Sequence, residues 1–197
     1  QMGVIEAFRL IKPELEFIEL VHRLDRDTSG CLLIAKTREC LLSLQQQMLS
    51  DEIDKRYLTL LKGEIRQDEL YVEQPLQKNT VSSGERMVKV DSAGKKAKTL
   101  FITKQAFGLA QLTEVKLFTG RTHQIRVHSA WSGHPVAGDD KYGDREFNKI
   151  MKSYGLKRLF LHAWRLGIRH PISNEPLLLE APLPDNLVSV VSLIEHA

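Results

Sequence analysis

The chain has 197 residues, 42% of them hydrophobic, enough apolar material for one domain or two closely packed lobes. Its formal charge of +3 and pI near 8.8 would not repel an anionic partner, but do not mark the chain as a polycation. No apolar run approaches the ~20 residues that cross a bilayer, and Gln1-Met2-Gly3-Val4-Ile5-Glu6 lacks the basic start and apolar centre of a secretion signal. With only two cysteines, Cys31 and Cys40, a disulfide framework or zinc site is not expected. These features together predict a cytoplasmic protein.

The first helix is expected from about Gly3 to Ile11, ending ahead of Pro13, because a residue preceding proline is pushed out of the helical region. Strands are expected around 17 to 24 and 30 to 36, with Asp27, Thr28, Ser29 and Gly30 supplying turn chemistry between them. Thr37 can cap a helix whose Leu41, Leu44 and Met48 recur at helical spacing and should lie against a sheet. Lys55 to Ile65 alternates as a strand. Met87 to Val90 and Thr99 to Thr103 read as a hairpin around Ser92-Ala93-Gly94. Lys89, Lys95, Lys96, Lys98 and Lys104 crowd that hairpin, either protecting a sheet edge or meeting phosphates.

Leu109 to Leu117 makes a further strand, and Thr122 can cap a helix running through Ile125 and His128 towards Gly133. Phe160 to Arg169 and Leu177 to Glu180 read as two strands, and Asp185 as the cap of a closing helix. Strands outnumber helices and mostly follow one another directly. The fold class is therefore α+β, with an antiparallel or mixed sheet.

The segment His22-Arg23-Leu24-Asp25-Arg26-Asp27-Thr28-Ser29-Gly30 puts Asp25 between arginines on a connection between two strands. Loops held by a rigid sheet often carry binding and catalytic groups, but an aspartate in such a turn serves equally as an Asx-turn or capping residue. The segment resembles the signature of pseudouridine synthases of the ribosomal large-subunit type. Lys55-Arg56-Tyr57-Leu58, Gly120-Arg121-Thr122-His123-Gln124-Ile125-Arg126-Val127-His128 and Leu159-Phe160-Leu161-His162-Ala163 resemble that family's second motif, third motif and final core strand, in the same order. Gly133-His134-Pro135 and Asp139-Asp140-Lys141-Tyr142-Gly143-Asp144 also look familial, so the resemblance covers nearly the whole chain.

The resemblance implies a bent, mixed, mostly antiparallel sheet with peripheral helices and a central cleft. It implies a cofactor-free isomerase acting on large-subunit ribosomal RNA, with Asp25 as nucleophile, Arg126 orienting and neutralising it, and Tyr57 facing the cleft to stack on uracil or handle a proton. Arg23 resembles the position that wedges into the gap left by a flipped nucleotide. Arg26, Arg121 and His123 are further candidate RNA contacts, and Leu161 and His162 candidate cleft walls. Each has a plainer role open to it. Arg126 suits an exposed helix face, Tyr57 suits strand packing, and Arg23 suits a surface salt bridge or phosphate contact.

His123, His128 and His134 make a poor metal set, because the first two are splayed along one helix and no carboxylate or cysteine completes them. The family's usual Asn-Lys-Pro segment and small upstream RNA-binding domain are not found in the sequence. The expectation is thus a single catalytic domain over 1–197, acting as a monomer and without its first sheet segment. Two rival readings remain: a non-catalytic RNA-binding or ribosome-assembly module, and a retaining glycoside hydrolase needing two facing carboxylates.

Overall fold

The computed structural model describes residues 3–50, 52–80 and 86–196, with Gln1 and Met2 of the opening stretch outside them. Helix α1 (Val4–Ile11) follows Gly3 and ends before Pro13, as its sequence predicts. The next two expected strands are much shorter than read. Only β1 (Glu19–Leu20), β2 (Ser29–Gly30) and β3 (Ile34–Ala35) keep ladder geometry, and β1 pairs antiparallel with β3. Helix α2 (Arg38–Leu49) is capped by Thr37, whose hydroxyl accepts the Cys40 N–H. Its Leu44 packs with Ile53, Leu166 and Ile168, as the helical spacing of its leucines predicts.

The middle of the chain is strand-rich: β4 (Asp54–Lys62), β5 (Glu69–Val72), β6 (Leu76–Thr80), β7 (Arg86–Val90), β8 (Thr99–Ala106) and β9 (Ala110–Leu117). Helices α3 (Gln124–Trp131) and α4 (Arg145–Ser153) follow, then β10 (Leu161–Arg169), β11 (Pro176–Glu180) and the closing α5 (Asp185–Glu195). The main sheet runs β11-β10-β4-β9-β8-β5, all antiparallel, and β2 adds a parallel pair on β10. This is the mixed, mostly antiparallel α+β architecture expected.

One expected pairing is wrong. β7 pairs with β6, and β8 pairs with β5 and β9, so no hairpin joins β7 to β8 across Gly94. Gly94 instead lies against the backbone of Leu76, where an added Cβ would come within 2.5 Å of the Leu76 carbonyl carbon. The glycine serves that close approach of two chain segments. The lysines assigned to this hairpin are spread over separate elements: Lys89 pairs with Asp91, Lys98 with Glu73 and Lys104 with Glu114.

Two cores sandwich the sheet. Leu60, Phe160 and Met151 pack with Leu187, Val190 and Ile194 of α5 on one face. Leu61, Phe101 and Val115 pack with Ile125 of α3 and Leu161 on the other, and the cleft opens beside this second core.

Candidate active site

The location of the 23–30 turn follows from the edge of β10. β11 covers that edge from Arg165 to Arg169, leaving the start of the strand free, and β2 occupies it with His162 opposite Ser29 and Ala163 opposite Gly30. On its other side Ala163 faces Tyr57 of β4, so one residue separates the turn from the tyrosine. Gly30 makes this possible: its φ is +113°, and a Cβ there would lie 2.1 Å from the Ala163 carbonyl oxygen. The Cys31 N–H then donates to the same carbonyl at 2.8 Å.

Side-chain bonds hold the turn from both ends. His22 Nε2 accepts the Leu33 N–H at 3.1 Å, Ser29 Oγ lies 2.9 Å from His162 Nδ1, and an Arg158 N–H donates to the Asp27 carbonyl at 2.6 Å. His162 Nε2–H donates to the Ala181 carbonyl at 2.9 Å, so Nδ1 is the acceptor for Ser29. Burial lowers the pKa of His162, fixing it as a neutral brace.

Asp25 projects into a small, open cleft of about 130 Å³. Tyr57, Leu117, Ile125 and Leu161 give it an apolar side, and Arg23, Arg121, His123 and Arg126 a polar one. The nearest charged group is Arg126, with Nη1 3.5 Å from Asp25 Oδ2, and His123 Nε2 is 3.8 Å from the same oxygen. Both distances exceed a direct charge-assisted hydrogen bond, and the Asp25 side chain stays 20% exposed. Burial, reinforced by the charge of Asp25, pushes the Tyr57 phenol up to about 12, so it remains a protonated donor at neutral pH.

A second carboxylate holds this arrangement in place. Asp139, with a fully buried side chain, accepts Arg126 Nε at 2.7 Å and Nη2 at 2.8 Å, and its Oδ1 also takes the N–H groups of Lys141 and Tyr142 at 2.9 and 3.0 Å. Burial alone would raise its pKa, but the Arg126 fork and these N–H groups outweigh burial and hold it below the ordinary carboxylate value. Arg126 thus spends two nitrogens on Asp139 and turns the third towards Asp25. Tyr142 lies under the guanidinium, 5.0 Å from ring centre to Cζ.

The Tyr142 hydroxyl accepts the Val88 N–H at 3.0 Å, so its own hydrogen goes to His123 Nδ1 at 2.8 Å, leaving His123 Nε2–H facing Asp25. Burial lowers the His123 pKa. Asp25 pulls the other way, and Arg126 and Lys141 act with burial.

Most of the expected site residues come together here. Asp25, Tyr57, Arg126, Arg23, Arg121, His123 and Leu161 line one cleft, and exposed Arg26 lies just beside it. His162 does not. Strand alternation turns Leu161 and Ala163 to the cleft face and His162 to the other, where it is 2% exposed against Ser29 and Ala181. Thr122 is not the cap of α3. His123 holds that position in a left-handed conformation (φ 53°), and Gln124 Oε1 accepts the Arg121 N–H instead. Nor does Asp185 cap α5; Pro184 does, with Asp185 in the first turn. Asp139 and Tyr142 carry no local signal of their roles, which depend on contacts 13 and 19 residues away. Among the described residues no cluster suits a metal ion, and no helix is long and apolar enough to cross a membrane.

Residues 10–131 match the RNA pseudouridylate synthase family, more than half the chain, and the chain belongs to that family. The solved human RNA Pseudouridylate Synthase Domain Containing 1 is similar in fold, with a TM-score of 0.75 at 25% identity over 91% of this chain and 75% of that one. Human RNA Pseudouridylate Synthase Domain Containing 4 gives 0.77 at 22% identity over 94% and 79%.

Among curated proteins the chain is similar to Ribosomal large subunit pseudouridine synthase C. Identity is 46% over 194 residues with that of Pasteurella multocida, covering 98% of this chain and 60% of the relative. It is 49% over 185 residues with that of Yersinia pestis (94% and 58%), and 46% over 197 with that of Escherichia coli K12 (99% and 62%). The chain therefore spans about three-fifths of the length of these curated relatives.

Proposed function

We propose that this chain isomerises specific uridines of large-subunit ribosomal RNA to their carbon-linked form, with Asp25 as nucleophile on a nucleotide swung into the cleft. The observation that carries the reading is the state of Asp25. It is a carboxylate lining an open cleft, steadied by a guanidinium at 3.5 Å but not saturated by it. Membership of the pseudouridylate synthase family and the names of the curated relatives support the reaction and the RNA.

The reaction breaks the bond between C1′ of the ribose and N1 of uracil, turns the base, and joins C5 to C1′. The proton on C5 is lost and N1 gains one, so the product is an isomer and no redox partner or group donor takes part. A carboxylate that adds and later leaves divides one hard step into easier ones. Arg126 balances its charge throughout, held in orientation by Asp139.

Tyr57 offers uracil a flat apolar face and a phenol that donates a hydrogen bond at neutral pH. Thr28 Oγ1, buried at the cleft edge without a hydrogen-bond partner among the described residues, has a bond to give the nucleotide. Leaving the RNA stack costs the target roughly a few kcal/mol, and Arg23, exposed where the turn meets the cleft, fills the gap. Arg26, Arg121 and His123 complete the RNA contacts around it. The site uses no metal or cofactor, and the enzyme acts in the cytoplasm as a monomer.

The deciding experiment incubates wild type and Asp25→Asn with deproteinised large-subunit ribosomal RNA and maps carbon-linked uridines. Wild type should produce them and Asp25→Asn should bind the RNA and produce none. Product from the variant would overturn the nucleophile assignment. RNA bound by wild type but never converted would favour an assembly module, and release of free base would favour a glycoside hydrolase.

A further inference from the structure

Next to the catalytic cleft, on the α4 side, lies a second and larger depression of about 600 Å³, whose outer wall the chemistry above does not use. It shares Arg23, Asp25, His123 and Arg126 with the cleft and continues outward over the end of α4 and the segment before β10.

Seven cationic side chains line it against four carboxylates, an excess that equals the formal charge of the whole chain, so the remaining charges cancel. The opposite face of the sheet is charged differently. There Arg56, Lys104 and Lys116 pair with Asp54 and Glu114. In the trough, exposed Lys152 and Lys157 make no ion pair among the described residues. Arg158 between them and the cleft is committed elsewhere, holding the Asp27 carbonyl and hence the catalytic turn.

We infer that this trough is a track for the RNA sugar-phosphate backbone, running away from the flipped nucleotide on one side, with Lys152 and Lys157 as phosphate contacts on its outer wall. The inference rests on the reading of the cleft as an RNA-modifying site. An extended polyanion suits the trough's concentration of the chain's net charge and its continuity with the cleft that holds Asp25. Neutralising a phosphate releases condensed counterions, which gives the proposal a signature other than activity.

The test measures binding of the 197-residue chain to a labelled large-subunit ribosomal RNA transcript as a function of salt, for wild type, Lys152→Ala/Lys157→Ala and Lys104→Ala/Lys116→Ala. Losing two phosphate contacts should lower the slope of log affinity against log salt by about 1.4 to 1.8, with the catalytic loss falling on KM. The Lys104/Lys116 pair, on the opposite face, should leave the slope unchanged. A trough variant with the wild-type slope, or an equal drop from the opposite face, overturns the inference. Conversion by wild type is followed in parallel: conversion with an unchanged slope removes only the track, whereas binding without conversion removes the catalytic reading on which it rests.

Discussion

The 23–30 turn and the 139–142 turn each present one aspartate to the same arginine, and the two carboxylates end in opposite states. Asp139 is fully buried and accepts four hydrogen bonds, while Asp25 is 20% exposed and its nearest cation is 3.5 Å away. A buried carboxylate tied down by four donors serves as scaffold. One with fewer donors around it, beside the same guanidinium, keeps its reach into the cleft. Residue type says nothing about which aspartate will do which job; the number of donors around it does.

The sharpest way to break this contrast is to neutralise each acid at constant shape. Asp25→Asn should lower kcat by roughly 10⁴-fold or more, the scale of losing a nucleophile, while changing stability by less than about 1 kcal/mol. Asp139→Asn leaves Arg126 without its charge partner in a buried site, which typically costs about 3–5 kcal/mol. At about 2–4 °C per kcal/mol for a chain of this size, Tm should fall by about 6–20 °C in calorimetry. Equal melting temperatures for the two variants would erase the distinction. Lys in place of Arg126 tests the same division at its other end. It keeps a charge near Asp25 but cannot fork onto Asp139, and kcat should fall by about 10–100-fold, the scale of losing a supporting contact.

Gly30→Ala probes what positions the first turn. The new Cβ meets the Ala163 carbonyl oxygen at 2.1 Å in a left-handed conformation, so β2 must leave β10. Strain of this kind costs about 1–3 kcal/mol, and activity should fall out of proportion to Tm because Asp25 moves with the turn.

The smallest effect concerns pH. Burial lowers the pKa of His22, His128 and His162, so the unfolded chain takes up protons that the folded chain refuses. Their stabilisation is complete above the unfolded value of about 6.5 and is lost as pH falls below it. Asp139, with a depressed pKa, contributes above about 3.9 and is lost as pH falls through its folded value. Urea midpoints should therefore decline in two stages, and Asp139→Asn should shrink the lower one, to which Asp91 and Asp144 also contribute.

Much of this was legible in the sequence, and the rest was hidden for physical reasons. β4, β9, β10 and α2 followed from alternation, helical spacing and a threonine cap, all of them local signals. β5 and β6 were missed because short strands without a tight turn between them leave little periodicity. The expected pairing of β7 with β8 fails because Gly94 has the look of a turn residue but serves a close backbone approach. Helix α4 went unread, although Asp144 caps it through the Phe147 N–H and Phe147 and Met151 lie one turn apart on its buried side. His162 could have been placed correctly from alternation alone, since Leu161 was already assigned to the cleft. Asp139 could not, because nothing within a few residues of it shows that Arg126 is its partner.

The parallel seam between β2 and β10 joins residues more than 130 positions apart. Contacts of such long sequence separation form late, after much of the chain has been made. A nascent chain still lacking residues 161–163 would carry Asp25, Tyr57 and Arg126 without the strand that seats them together. Assembly of this cleft should therefore wait until β10 has emerged, whatever the order in which the elements before it fold.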